Sequence, residues 1–235
     1  MDKPRLGILG GMGPKATAVF MDKIIDHTDA ERDQDHLDMF VVNHATLPDR
    51  TKVILEREES RFLAAIEQDF RLLEFAEATH IAIPCNTSHY FYDALQAMTH
   101  IPIIHMVDES VRVMASRYGR GSKIGLLATS GTVRSGIYEK TCDQHGLELH
   151  LPDEAVQNRI MRIIYHDIKG GLTPDPAIFE HIILNMIEQD QCSGVIIACT
   201  ELSCIPLSDA TGSYCVDAMD VLVRKSIEWA GKRYV

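Results

Sequence analysis

Short, nearly continuous apolar runs alternate along the chain with segments in which apolar residues recur every three or four positions. Runs of the first kind are typical of strands buried on both faces of a parallel sheet. They cover residues 5–9, 39–42, 80–83, 123–127 and 194–198. Segments of the second kind, such as 62–73 and 179–187, predict helices with one apolar face. The alternation therefore predicts an α/β fold with right-handed crossovers between parallel strands.

The chain contains an internal repeat. Residues 5–13 (Arg-Leu-Gly-Ile-Leu-Gly-Gly-Met-Gly) resemble residues 123–131 (Lys-Ile-Gly-Leu-Leu-Ala-Thr-Ser-Gly), and both pass from a strand pattern into a turn of small residues. Later in each half an apolar run ends in a cysteine, at Cys85 and at Cys199. We therefore predict two similar lobes, each a mostly parallel sheet flanked by helices. The repeat relates the lobes by a pseudo-two-fold axis.

The repeat also sets the predicted domain division. The first lobe comprises residues 1–107 and is completed by the C-terminal segment 214–235, whose last helix returns to it. The second lobe comprises residues 108–213. No linker rich in Pro, Gly or Ser separates the halves, so the boundary rests on the repeat and not on composition.

The two repeated cysteines are the strongest candidates for chemistry. A single cysteine that ends an apolar strand is more commonly a packing residue, but the repeated placement favours a function. Ligands of open α/β sheets bind beyond the carboxyl ends of the strands, so a cleft between the lobes would receive Cys85 and Cys199 from opposite sides. Each is followed by residues suited to capping a helix, whose N-terminus lowers a thiol pKa and offers N–H groups to a carboxylate. The other four cysteines lack this setting and are interpreted as packing residues.

Composition excludes several classes of function. A formal net charge of −11 argues against a nucleic-acid-binding face, which requires clustered Lys and Arg. No apolar run approaches the roughly 18 residues of a membrane span, and the run at 6–9 ends in glycines rather than in a signal-peptide pattern. The six cysteines form no Cys-x-x-Cys pair. We therefore expect a cytoplasmic globular protein with free thiols and without a metal, membrane or nucleic-acid partner.

Three short motifs carry a family resemblance. They are Gly10-Gly-Met-Gly13, Pro84-Cys-Asn-Thr-Ser88 and Ala198-Cys-Thr-Glu201. In this order they resemble the aspartate/glutamate racemase superfamily, and the aspartate racemase branch above all, from Leu6 to about Asp217. Glutamate racemases resemble the chain less, because they carry Asp-Ser in the first turn and Cys-Thr-His where this chain has Glu201.

The resemblance implies a cofactor-independent racemase that interconverts the L- and D-forms of an acidic amino acid, aspartate in preference to glutamate. One cysteine removes the α-proton as thiolate and the opposing thiol returns a proton to the other face, without pyridoxal phosphate. The resemblance also implies that Arg50 binds the side-chain carboxylate, that Lys169 is a second cationic position, and that the protein is a homodimer.

Stabilisation of the charge that develops on the α-carboxylate requires donors fixed in advance. The candidates follow the strands that end near the cleft: Met12, Gly13, Asn86, Thr87, Thr129, Gly131, Thr132 and Thr200. Glu201 is a candidate for orienting the amino group or for setting the surroundings of Cys199.

Several alternatives remain at this point. The turn Gly11-Met-Gly-Pro-Lys-Ala16 satisfies the dinucleotide-binding pattern, but the second strand ends in Val42-Asn-His44 without the expected carboxylate. A protein that binds small carboxylates without turnover is a further alternative, although binding alone does not need two opposed thiols. Other chemistries of the superfamily, namely glutamate or hydantoin racemisation and maleate isomerisation, also stay open.

Overall fold

Two parallel sheets organise the protein, in a computed structural model that describes residues 3–235. The first sheet contains β1 (Arg5–Gly10), β2 (Asp38–Asn43) and β3 (His80–Ala82) in the order β2-β1-β3. The second contains β4 (Lys123–Ala128), β5 (Glu148–His150), β6 (Gly194–Ala198) and β7 (Cys215–Asp217) in the order β5-β4-β6-β7. Every pair of neighbouring strands is parallel. The five strands predicted from apolar runs are confirmed.

Eleven helices surround these sheets within residues 3–235. They are α1 (Pro14–His27), α2 (Arg50–Glu56), α3 (Glu59–Phe75), α4 (Tyr92–Gln96), α5 (Met106–Tyr118), α6 (Ser130–Ser135), α7 (Ile137–His145), α8 (Glu154–Arg162), α9 (Pro176–Glu188), α10 (Asp209–Gly212) and α11 (Ala218–Trp229). A π-helical turn, Ile163–Ile168, extends α8. The predicted α/β class, with parallel sheets flanked by helices, is confirmed. None of these helices combines the length and the apolar character that a membrane span needs.

Each sheet is covered on both faces, which explains why its strands are apolar throughout. In β6, Val195 and Ile197 pack with α9, whereas Ile196 and Ala198 pack with α5 and α7. The first sheet lies between α3 on one face and α1 with α11 on the other. The helices α3 and α9 bury the apolar faces predicted from segments 62–73 and 179–187.

The two halves have matching topology. The central strand of each sheet, β1 or β4, lies between the strand that follows it in the chain and a later strand, β3 or β6. Ile103 forms a parallel bridge beside β3, as β7 pairs beside β6. This equivalence brings the segments after β3 and β6, which carry the two cysteines, to corresponding places in the two lobes.

The C-terminal segment contributes to both lobes, whereas the sequence-based division assigned all of 214–235 to the first. Strand β7 pairs with β6 in the second sheet. Helix α11 packs against α1 through Leu222, Val223 and Ile227, and Val221 on its other side joins the second-lobe core. The amphipathic pattern of α11 predicts burial, but not that two lobes share the helix. The division at 107/108 stays a prediction.

Candidate active site

A narrow, partly open cavity lies between the segments that follow β3 and β6. Both lobes line it: the first contributes Met12, Asp49, Arg50, Thr51, Cys85, Asn86 and Thr87, and the second contributes Thr129, Tyr165, Lys169, Cys199, Thr200 and Glu201. Because both lobes line this space, a small molecule bound there would contact residues of both.

Both predicted cysteines line this cavity. Cys85 and Cys199 are 5% and 4% exposed, so each thiol is shielded from bulk solvent. The residues after them form short 3₁₀ turns, Thr87–Phe91 and Leu202–Cys204, instead of regular helices. The expected caps are absent there: Asn86 accepts no capping hydrogen bond, and the Thr200 hydroxyl donates to the Pro84 carbonyl.

The pKa of Cys199 differs from the expectation. Burial, together with the neighbouring carboxylate of Glu201, raises the pKa of Cys199 well above its usual value. The thiol donates to Oε2 of Glu201 at 3.1 Å, which stabilises its protonated form. The predicted lowering by a helix N-terminus is wrong for this residue, because no regular helix begins here and burial dominates.

Glu201 links Cys199 to Lys169. Its Oε1 atom accepts from the Lys169 ammonium at 2.7 Å, while Oε2 accepts from the thiol. Burial alone lowers the pKa of Lys169, but the attraction of Glu201 and of the two cysteines outweighs it, and the net pKa is raised. Gly13 lies beside this pair, since a Cβ atom there would be 2.9 Å from Oε1 of Glu201. The cation therefore stays charged near the Cys199 thiol.

Arg50 is buried with an incomplete set of partners. It is 7% exposed at the start of α2, where Asp49 caps the helix by accepting from the Lys52 backbone N–H. One guanidinium nitrogen donates to the carbonyls of Pro48 at 2.9 Å and Leu47 at 3.4 Å. Its buried Nε atom has no partner within residues 3–235. A buried charged donor without a partner is costly, so the arrangement suits an anion bound in the cavity.

Asn86 also presents an unpaired donor. Its Oδ1 atom accepts from the Tyr138 phenol at 2.6 Å, whereas its buried Nδ2 atom has no partner in the described part of the chain. The asparagine is 2% exposed and lines the cavity. The amide thus retains two N–H groups for a ligand acceptor.

Three threonine hydroxyls join the lobes beside the cavity. Oγ1 of Thr87 lies 3.1 Å from that of Thr129 and 2.9 Å from that of Thr132, and the last two are 3.1 Å apart. Thr87 and Thr129 line the cavity, as predicted, but Thr132 lies behind them. Gly131 also lies outside the cavity, because α6 packs on α2 there and a Cβ atom would be 2.7 Å from the Thr51 Cα atom.

A second depression, here called the outer groove, adjoins the cavity. It shares Asp49, Arg50, Lys169 and Glu201 with the cavity. Its remaining lining is largely apolar or small and includes Gly13, Pro14, Leu47, Ile168, Leu172 and Pro174. Gly13 therefore borders the outer groove and not the cavity itself.

Sequence reasoning missed three residues that line the cavity, Asp49, Thr51 and Tyr165. An Asp before a helical run is a recognisable capping signal, and it could have drawn attention to the segment around Arg50. Tyr165 carries no such signal, since its apolar neighbours in 160–168 indicate only a packed helix. No group of three or more His, Cys, Asp or Glu residues among residues 3–235 is arranged to hold a metal ion.

Comparisons with known proteins show which sequences the chain resembles. A model of the family described as Asp/Glu/Hydantoin racemase matches residues 9–226. The broad specificity amino-acid racemase RacX of Bacillus subtilis is 32% identical over 206 residues, which cover 85% of this chain and 86% of that protein.

Solved structures give the same result for the fold. The aspartate racemase of Picrophilus torridus superposes with a TM-score of 0.82 at 30% identity, covering 99% of this chain and 96% of that one. The glutamate racemase of Francisella tularensis in complex with D-glutamate gives a TM-score of 0.64 at 16% identity, covering 97% and 80%. The second likeness shows the shared fold alone.

Proposed function

Because the chain belongs to the Asp/Glu/hydantoin racemase family, as its cysteine motifs predict, we propose that it interconverts the L- and D-forms of an acidic amino acid, aspartate in preference to glutamate. The observation that carries the proposal is that Cys85 and Cys199, from equivalent segments of opposite lobes, line one buried cavity. With two thiols beside a planar carbanion, one can remove a proton as thiolate and the other can return a proton to the opposite face. The reaction proceeds without a cofactor.

The proton transfer conserves charge between the two cysteines. The Cys85 thiolate takes the α-proton as the Cα–H bond breaks, and the Cys199 thiol gives its proton to the opposite face of the carbon. The hydrogen bond from Cys199 to Glu201 favours this assignment, because it keeps Cys199 protonated until the carbanion forms. After transfer the Cys199 thiolate lies near the Lys169 ammonium, whose charge lowers its pKa. The reverse reaction exchanges the two roles.

The remaining polar groups support binding of an amino dicarboxylate. The unpaired Nε of Arg50 and its charge favour the side-chain carboxylate. The α-carboxylate would be bound by the amide of Asn86, by the hydroxyl groups of Thr87 and Thr129, and by the backbone N–H of Thr200. These donors are held in place before the reaction, which is how a site without an electron sink stabilises developing charge.

A wider range of substrates is the second candidate function. The outer groove favours it, since the cavity opens beside Arg50 and Lys169 onto apolar surface that could accept longer or apolar side chains. The Bacillus subtilis relative carries the name of a broad specificity racemase. Rates for neutral amino acids comparable with the rate for aspartate would favour this candidate over the first.

Exchange of the α-proton with solvent deuterium tests the proposal. L- and D-aspartate, then glutamate, are incubated in D₂O with the wild type, Cys85→Ser, Cys199→Ser and the control Cys192→Ala, with no cofactor added. Cys192 is buried in the second-lobe core, away from the cavity. We expect racemisation by the wild type and by the control, and its almost complete loss in both serine variants.

Two results would contradict the proposal. Full racemisation by either serine variant would remove the two-base mechanism. A requirement for pyridoxal phosphate or a nicotinamide cofactor would contradict the proposed cofactor independence.

We also propose, from family membership, a cytoplasmic homodimer, and sedimentation velocity distinguishes it from a monomer of 26.3 kDa.

A further inference from the structure

Tyr138 contacts Asn86, a residue of the candidate active site, without lining the cavity itself. It belongs to α7 in the second lobe, and its ring is fully buried in the core beside Val111, Met114 and Cys142. Its phenol reaches across to Asn86 in the first lobe, 2.6 Å from Oδ1. It does not line the cavity, so its influence on a bound substrate passes through Asn86.

We propose that Tyr138 is a positioning residue that holds the Asn86 amide with its NH₂ group directed at the substrate α-carboxylate. The inference rests on the proposed function and deepens it. The amide group of an unrestrained asparagine can rotate about its Cβ–Cγ bond and present either its oxygen or its nitrogen to a ligand. In the structure the phenol donates to Oδ1, and this contact stabilises the orientation in which Oδ1 faces Tyr138 and the NH₂ group stays free.

The phenol is a dependable donor in this setting. Burial, the largest influence, raises the pKa of Tyr138 far above its usual value, so the hydroxyl stays protonated at any physiological pH. The ring is fixed by packing, and the residue is 1% exposed. A rigid donor on a packed helix holds the amide more firmly than a mobile surface side chain would.

A second observation, at the nitrogen of the Asn86 amide, supports the same inference. Nδ2 of Asn86 is buried and has no partner within the described residues. Leaving such a donor unsatisfied is unfavourable, and a carboxylate bound in the cavity would accept from it. Asn86 and Cys85 both line the cavity, so a substrate bound there would contact the amide as well as the proposed base. As that proton leaves, charge grows on the α-carboxylate and the fixed N–H groups interact with it more strongly.

Replacement of the phenol by a phenyl ring tests the inference. Tyr138→Phe keeps the packing and removes only the hydroxyl. We expect kcat/KM for aspartate to fall about tenfold, with most of the loss in kcat, as the removal of one buried hydrogen bond allows. Tyr92→Phe is the matched control, because it removes a phenol that donates to the Ile103 carbonyl at 3.2 Å outside the cavity. The control should keep wild-type kcat.

Variants of Asn86 distinguish a positioning role of Tyr138 from a purely structural one. Asn86→Ala removes the amide, so adding Tyr138→Phe to it should cause no further loss in kcat. Asn86→Asp should be slower than Asn86→Ala, because its carboxylate still accepts from the phenol but repels the substrate carboxylate. Wild-type kcat in Tyr138→Phe, or an undiminished tenfold loss in the Asn86→Ala background, would overturn the inference. Tighter aspartate binding by Asn86→Asp would also overturn it, since the amide would then present its oxygen to the ammonium group.

Succinate binding keeps the test independent of turnover. Succinate has two carboxylates and no α-amino group, so calorimetry reports carboxylate binding even if the wild type racemises nothing. We expect Tyr138→Phe to weaken succinate binding about threefold and Tyr92→Phe to leave it unchanged. Equal affinities for the wild type and Tyr138→Phe would overturn the positioning role, whereas absent racemisation by the wild type would overturn the proposed function alone.

Discussion

The phenol of Tyr165 donates to both carboxylate oxygens of Asp49, at 3.0 and 3.2 Å, and so connects the second lobe to the first. Tyr165 lies in the π-helical turn after α8, and Asp49 caps α2. Asp49 borders both the cavity and the outer groove, so this contact lies where the two meet. Burial raises the pKa of Tyr165, which keeps the phenol a donor. The contact holds the lobes together on the side from which a substrate would enter.

Loss of this contact should weaken substrate binding more than chemistry. In Tyr165→Phe the lobes lose a hydrogen bond to a charged acceptor but keep the aromatic packing, and we expect KM to rise about threefold to tenfold with kcat within twofold. Steady-state rates with both enantiomers measure the effect. Tyr118→Phe, which removes a phenol contact with the Tyr214 carbonyl far from the cavity, serves as control. An unchanged KM would show that the contact does not contribute to substrate binding.

Arg50 should determine the preference for dicarboxylic substrates. Arg50→Leu removes the buried guanidinium whose Nε lacks a partner, so a side-chain carboxylate loses its charged donor. We expect kcat/KM for aspartate to fall about 10- to 100-fold, as for a hydrogen bond to a charged group, and that for alanine to change far less. Arg50→Lys should recover part of the aspartate rate, because the charge returns without the planar fork. Equal losses for aspartate and alanine would exclude a role in selectivity.

The sequence predicts the central strands, and the place of the two cysteines directly after β3 and β6, because both depend on local patterns. Continuous apolar runs mark strands covered on both faces, and the repeat places a cysteine after β3 and another after β6. The strand β5 escapes this reasoning, since Glu-Leu-His at 148–150 is short, polar and at the sheet edge. Its pairing depends on β4 and not on its own composition.

The cross-lobe contacts are harder to predict because their partners are distant in sequence. Tyr138 and Tyr165 lie in apolar helical segments that indicate packing, yet their hydroxyls meet Asn86, 52 positions away, and Asp49, 116 positions away. The pKa of Cys199 fails to follow the local motif for a related reason. Burial and the Glu201 carboxylate are set by tertiary structure, and together they outweigh what a helix start predicts.

Glu201 should set the alkaline limit of activity. Its carboxylate raises the pKa of Cys199, so Glu201→Gln should lower that pKa, and the newly unpaired Lys169 should lower it further. Because Cys199 must be protonated to act as the acid, the alkaline limb of the kcat/KM profile should move to lower pH.

Two measurements report this shift: pH profiles of kcat/KM for both enantiomers, and ultraviolet titration of the thiolate in the Cys85→Ser variant. Glu154→Gln, an exposed replacement on α8, is the control, and an unmoved alkaline limb in Glu201→Gln would contradict the assignment.

Asp217 should make the fold less stable as pH rises from about 4 to about 7. Burial, then the charge of Asp220, raises the pKa of Asp217 to about 7, although its side chain accepts from Ser203 and from the Met219 backbone and lies near Lys23. The unfolded chain has the ordinary value of 3.8. Between these values the folded state binds more protons than the unfolded state, so the free energy of unfolding contributed by this group falls as pH rises from about 4 to 7.

Asp217→Asn tests this linkage, because asparagine keeps the cap of α11 and cannot ionise. We expect the difference in melting temperature, variant minus wild type, to increase between about pH 4 and pH 7, because over this range the unfolded wild type has lost a proton that its half-buried folded carboxyl keeps. Calorimetry at several pH values measures it. Asp153→Asn, which changes the exposed cap of α8 and leaves Asp217 intact, should show no comparable trend over this range. A difference for Asp217→Asn that stays constant with pH would mean that the carboxyl is charged throughout, and that Lys23, Ser203 and the helix N-terminus together outweigh its burial.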